Sequence, residues 1–152
     1  MDDRLFRTAM GKFATGVTVI TTKVGENAHG MTANAFMSVS LDPKLVLISI
    51  GEKANMNQLI KESGKFAVSV LNDEQQDLSA YFAGQIKEDR EIEFDDFNEL
   101  PVIKDALVNL TCNVHEAVVA GDHTLYIGEV TDLRVTDGDA LGFFEGKYRK
   151  VV

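Results

Sequence analysis

The chain reads as a mainly β protein with a few short helices, an antiparallel barrel with helical decoration. Three observations predict this class. β-Branched and apolar runs bounded by turn residues recur along the chain. The regular strand–helix alternation of a parallel doubly wound sheet is absent. Two long β-rich segments, Ala106–Ala120 and Thr124–Thr136, face each other across Gly121-Asp122.

The elements follow in order. Asp2 or Asp3 caps a first helix over about Arg4–Lys12, where Leu5, Ala9 and Phe13 share a face at helical spacing. That helix ends near Gly16, and Val17–Thr22 is almost wholly β-branched. The turn-forming Gly25-Glu26-Asn27 then predicts a hairpin into a strand over Gly30–Phe36. Leu45–Ile50 is a continuous apolar run, short enough for a strand buried on both sides. Ala54–Glu62 reads as a short helix with Met56, Leu59 and Ile60 inward, and Gly64 leads into the strand Lys65–Leu71. Asn72 or Asp73 caps a further helix to about Phe82. Gly84–Glu99 is acidic and lacks either periodicity, so it reads as a surface loop that orders against a ligand or another subunit. A last strand is expected near Tyr148.

At 152 residues the chain fits one domain, 1–152, which buries roughly 70% of the surface exposed by its unfolded form. No apolar run approaches the ~20 residues of a membrane span, the N-terminus lacks the pattern of a secretory signal, and the lone Cys112 has no internal disulfide partner. These features predict no membrane partner and a cytoplasmic location. The net charge of −9 argues against nucleic acid, whose binding depends on neutralising phosphates. A small anionic cofactor is still compatible with that charge, because backbone N–H groups and one or two cations hold it locally.

No Gly-x-Gly-x-x-Gly, phosphate-binding loop or Cys-x-x-Cys motif is present, and the three histidines have no metal-ligand spacing, so no metal is expected. The richest stretch is Gly30–Pro43. Thr32, Asn34, Ser38 and Ser40 supply hydroxyl and amide groups, while Ala33 and Ala35 let a planar ring approach the backbone beside Phe36 and Val39. That combination suits a flat, phosphate-bearing ligand such as a flavin. Lys53 and Asn57 stand at the start of a helix, where orphan N–H groups favour anions. Gly121-Asp122-His123 and Gly146-Lys147-Tyr148-Arg149 are further candidates, the latter a cationic, aromatic strand end.

Four pieces in register resemble the short-chain flavin reductase family, the reductase components of two-component aromatic monooxygenases. They are Met10–Thr22, Gly30–Pro43, Ser63–Leu71 and Gly121–Val130. The resemblance implies a flavin-reductase-like, FMN-binding split barrel that works as a homodimer. It further implies that hydride passes from NADH to FAD or FMN and that reduced flavin goes to a separate oxygenase in aromatic hydrocarbon catabolism. Carried over, Thr32–Ser40 becomes the wall for the flavin ring and ribityl chain. Lys53 and Asn57 lie near the phosphates, and Phe82 and Ala83 near the second subunit or dinucleotide tail. His123 positions nicotinamide, and Phe144, Glu145, Gly146 and Tyr148 complete its pocket. Pyridoxamine-phosphate oxidases and non-catalytic flavin carriers share this barrel and are the alternative readings.

Overall fold

A computed structural model describes residues 1–86 and 90–152. The principal sheet has seven antiparallel strands: β1 Thr18–Val24, β2 Asn27–Ala33, β3 Phe36–Ser40, β4 Leu45–Gly51, β5 Lys65–Val70, β8 Val108–Ala120 and β9 His123–Val135. Their spatial order is β2-β1-β5-β8-β9-β4-β3. Two short hairpins accompany it: β6 Asp95–Phe97 with β7 Leu100–Val102, and β10 Leu141–Phe144 with β11 Lys147–Lys150. The helices are α1 Asp3–Gly11, α2 Asn55–Ser63 and α3 Gln76–Phe82.

The two edge strands of the sheet, β2 and β3, are consecutive in the chain. Only Asn34 and Ala35 separate them, so Ala33 and Phe36 lie within about 11 Å of each other. One bent strand therefore supplies both edges. Its first half pairs with β1 (Thr18 opposite Ala33) and its second with β4 (Phe36 opposite Ile48), which curls the sheet into a barrel split at the bend. The sequence reading of a single strand over Gly30–Phe36 is corrected by this break. Ser38 and Ser40 lie in β3 on either side of a register irregularity.

Ile20, Ile48, Ile50, Phe66, Val68 and Tyr126 fill the barrel, with Met56 and Ile60 of α2 capping it. A second cluster, built on Val17, Val19, Leu71, Ile103 and Leu141, packs the β10–β11 hairpin and α3 onto the outside. Gly128 is the most closely approached of the glycines, because a Cβ there would meet Phe66 Cζ at 2.5 Å and Cys112 Cβ at 2.7 Å.

Three other expectations are corrected. β4 is not buried on both sides: Val46, Ile48 and Ile50 are buried while Leu45, Leu47 and Ser49 are half-buried, because its outer face borders a cleft. No residue of α1 is buried, so its apolar side chains Leu5, Phe6 and Met10 face outward beside exposed Phe13. Asp2 does cap the helix, accepting from Arg4 N at 2.9 Å. Within the segment read as a loop, β6 pairs with β7, held by Arg134, which donates to Asp95 at 2.6 Å and stacks over Phe97. Residues 87–89 of that expected loop lie outside the described residues.

Candidate functional site

The bend at Asn34-Ala35 is where the candidate residues gather. Its geometry is fixed from both sides: Thr18 Oγ1 donates to Ala33 O at 2.7 Å, and Ser49 N donates to Ala35 O at 3.3 Å. Thr32 is committed as well, donating its hydroxyl to Ser79 O at 2.6 Å. Asn34 and Ala35 are exposed, Phe36 packs its ring on the barrel core, and Ser38 and Val39 are exposed along β3 with Ser40 half-buried.

Two clefts open beside the bend. One, of about 490 Å³, runs along Ala35, Phe36, Met37 and Leu47 on the outer face of β3 and β4. The other, of about 660 Å³, lies between α1 and the β10–β11 hairpin, lined by Phe6, Met10, Phe143 and Gly146. Both share a wall of Phe13, Thr15 and Asn34. A small crevice of about 140 Å³ joins them to Thr32, Ala33, Ala83 and Tyr148, whose hydroxyl lies 2.7 Å from Ser79 Oγ. The Tyr148 ring meets Phe143 edge-on with centroids 5.4 Å apart. This pair fixes the hairpin against α3.

The helix start that carries Lys53 lies next to the Gly121–His123 turn. Gly51 is opposite His123 in the β4–β9 ladder, and Glu52 N donates to Asp122 O at 2.9 Å. His123 Nδ1 is 2.8 Å from Asp122 Oδ1, and this partner holds the Asp122 carboxyl below the usual aspartate range. Both side chains stay accessible, as does Lys53. Ser49, two residues before Gly51, is the residue that grips the bend. Lys53 and His123 thus sit at the end of β4 that leads to Asn34-Ala35.

Asn57 is placed differently from its expected role. Its side chain is turned inward, with the residue only 3% exposed. Nδ2 donates to Thr124 Oγ1 at 3.1 Å and Gly51 O at 3.3 Å, and the Tyr126 hydroxyl donates back to Oδ1. With its amide so committed, Asn57 staples the turn from beneath instead of facing a phosphate. Phe82 also turns away from the bend. Its ring lies over Gly30, where a Cβ would come within 2.8 Å, and stacks near Phe94 at 5.8 Å in a separate cleft with His29 and Arg90. Its neighbour Ala83 does line the Asn34 crevice.

The other expected nicotinamide residues approach from the α1 side. Phe144 is half-buried with Arg149 over its ring at 5.6 Å, and Gly146 borders the second cleft. Glu145 is bound to Lys12 at 2.6 Å, which holds its carboxyl below the ordinary range, while its N–H donates to Gly11 O at 2.9 Å. It joins the hairpin to α1. His123 and this hairpin therefore flank the bend from different sides instead of forming one cluster.

Sequence reasoning assigned no role to Thr15. Among the described residues its Oγ1 is a buried polar atom without a hydrogen-bond partner, at the wall shared by both clefts. Nothing in the residue type marks it; only the pairing of Thr15 with Phe143 across the fold does. The site offers no thiol chemistry, since burial pushes the Cys112 thiol up to about 12.

The residues present suit a flavin. A planar group has the small side chain of Ala35 to lie against in the first cleft, the Asn34 amide for its polar edge, and Lys53 beside exposed backbone for phosphate. The profile of the flavin reductase like domain matches residues 10–151. A Rhodococcus protein named as an NADH-dependent flavin reductase is 45% identical over 148 residues, covering 95% of this chain and 84% of its own length. The reductase component of 4-hydroxyphenylacetate 3-monooxygenase from Thermus thermophilus is 37% identical, covering 97% and 95%. The solved structure of the flavin reductase PheA2 in its native state superposes with a TM-score of 0.98 at 60% identity, over 100% of this chain and 99% of that one. Fold, bend and match over nearly the whole length agree, and the chain belongs to the flavin reductase-like family.

Proposed function

We propose that this chain, as a single domain, is an NADH-dependent flavin reductase acting on FAD or FMN. The observation that carries it is the pair of clefts meeting at one wall beside a strand bend lined with small side chains. Hydride transfer needs two flat rings held in contact, and the reactive atoms belong to those rings. The protein's task is therefore to seat and orient, which accounts for a site without an acid–base pair.

In this reading the Ala33–Phe36 bend and β3 through Ser40 hold the flavin ring and ribityl chain. Lys53 and the backbone after Gly51 meet its phosphate, with Asn57 fixing that turn from below. The second cleft, bounded by Phe143 and Gly146 with Phe144, Glu145 and Tyr148 in the same hairpin, takes nicotinamide. His123 guides the dinucleotide from the Lys53 end. A bound flavin supplies the hydride acceptor.

Relatives that are reductase components support a separate oxygenase as recipient of the reduced flavin. Apolar side chains exposed outside the two clefts, among them Leu5, Val39 and Leu41, support a homodimer. No helix among the described residues is long and apolar enough to cross a membrane. The test follows absorbance at 340 nm with the purified protein, NADH or NADPH, and FAD, FMN or riboflavin. Loss of NADH that depends on added flavin is the expected result. Bound flavin with no turnover would move the protein to the non-catalytic carriers.

A further inference from the structure

Thr15 is the residue of the shared wall that the fold leaves chemically unfinished. Its backbone is fixed on both sides, N–H to Phe143 O at 3.0 Å and carbonyl to Phe143 N at 2.9 Å, so the side chain cannot drift away from the clefts. The hydroxyl is buried without a partner among the described residues, while the residue as a whole is part-exposed and lines both clefts. Leaving a buried hydroxyl unpaired is costly, whereas valine of the same shape would fill the position without that cost. A rotation of about 120° around χ1 carries Oγ1 from its buried position to the next staggered one, which makes it available to a ligand at the wall.

The neighbouring chemistry narrows the ligand. The second cleft is lined by Phe6, Met10, Phe13 and Phe143, an apolar slot for a planar ring, with Arg7 as the charged residue of its lining. The neutral polar groups at its rim are the Thr15 hydroxyl and the Asn34 amide, whose side chain makes no hydrogen bond among the described residues. A hydroxyl and an amide together offer donors and acceptors to a group that has both, which a carboxamide does.

We propose that Thr15 is a specificity-determining residue that hydrogen-bonds, with Asn34, the carboxamide of the nicotinamide ring seated between α1 and the β10–β11 hairpin. The assignment rests on the NADH-reductase reading above. By holding the carboxamide at the wall common to both clefts, Thr15 sets the angle at which nicotinamide faces the neighbouring ring.

The test compares Thr15→Val, which keeps shape and removes the hydroxyl, with Thr15→Ser, which keeps the hydroxyl. Flavin affinity is read by fluorescence quenching, NAD⁺ affinity by calorimetry on the flavin-loaded protein, and stability by urea unfolding. One lost neutral hydrogen bond weakens NAD⁺ binding and raises the KM for NADH roughly three- to tenfold in Thr15→Val. Flavin affinity stays within about twofold, and the unfolding midpoint is unchanged or higher. Thr15→Ser binds NAD⁺ as the parent does. Unchanged NAD⁺ binding in Thr15→Val, or equal loss of flavin and NAD⁺ binding, overturns the assignment. If Thr15→Val does not fold, a normal Thr15→Ser beside a Thr15→Ala that is weakened for NAD⁺ alone supports it, and any other pattern overturns it. A parent protein that oxidises NADH with flavin while Thr15→Val is unaffected removes this inference only; a parent that neither binds NAD⁺ nor turns over removes the functional reading with it.

Discussion

Replacing Asn57 by alanine separates two roles that the residue type alone confuses, ligand contact and internal staple. Alanine removes donation to Thr124 Oγ1 and Gly51 O and takes an acceptor from the Tyr126 hydroxyl. The Gly51 contact is long at 3.3 Å and counts for little, and Tyr126 keeps the Asn57 carbonyl at 3.1 Å. Two effective bonds at about 0.5–1.5 kcal/mol each, plus a buried Thr124 left short of a donor, give a loss of about 2–3 kcal/mol. The gain in helix propensity, about 0.5 kcal/mol, offsets a little of it. Urea unfolding measures the loss, and Tyr126→Phe on the same scale should cost about 1–2 kcal/mol. The double variant should lose less than the sum, because both substitutions break one shared bond. Flavin affinity is measured in parallel and should fall only modestly, through loosening of the Gly51–Ala54 turn. A variant as stable as its parent, yet tenfold weaker for FMN and unchanged for riboflavin, would refute the reasoning and return Asn57 to the phosphate.

Lys53→Gln should weaken FMN and FAD several-fold while leaving riboflavin unaffected, and the difference should shrink with added salt; equal effects on all three would remove Lys53 from the phosphate. Gly128→Ala forces a methyl against Phe66 and Cys112 and should lower stability by about 1–3 kcal/mol, read from the unfolding midpoint. The Cys112 thiol, raised from an ordinary 9.0 to about 12, should resist a thiol reagent at pH 8 until the chain unfolds. A raised thiol pKa means that the unfolded chain loses its proton first. Stability should therefore decline as pH rises from about 9 toward about 12, and Cys112→Ala should flatten that part of the pH curve.

Much of the architecture was legible in the sequence because local signals and tertiary needs coincide. Val17–Thr22 is β-branched and becomes β1, and Gly121-Asp122 closes the long β8–β9 hairpin as its turn chemistry implies. The failures have physical causes. β6 is too short and acidic to show an alternation, and it exists because Arg134 binds Asp95 across the fold, a contact no local window contains. The break at Asn34-Ala35 is invisible because both halves have strand character, and only the barrel's closure forces the bend. At the site, the small and polar stretch was readable as a ligand wall. The direction of each side chain was not. Asn57 and Phe82 look like contacts in one dimension, yet one faces the core and the other covers Gly30, since helix phase and neighbouring bulk decide where a side chain points.

The bent strand also sets a ruler. Because Asn34-Ala35 is all that separates the edge paired with β1 from the edge paired with β4, adding or deleting one residue there would exchange the two faces of everything after it. Phe36 would leave the barrel, Met37 would enter, and Ser38 would change sides with Phe36. This connection is locked to the parity of the pleat, so the site's geometry and the barrel's closure can only vary together.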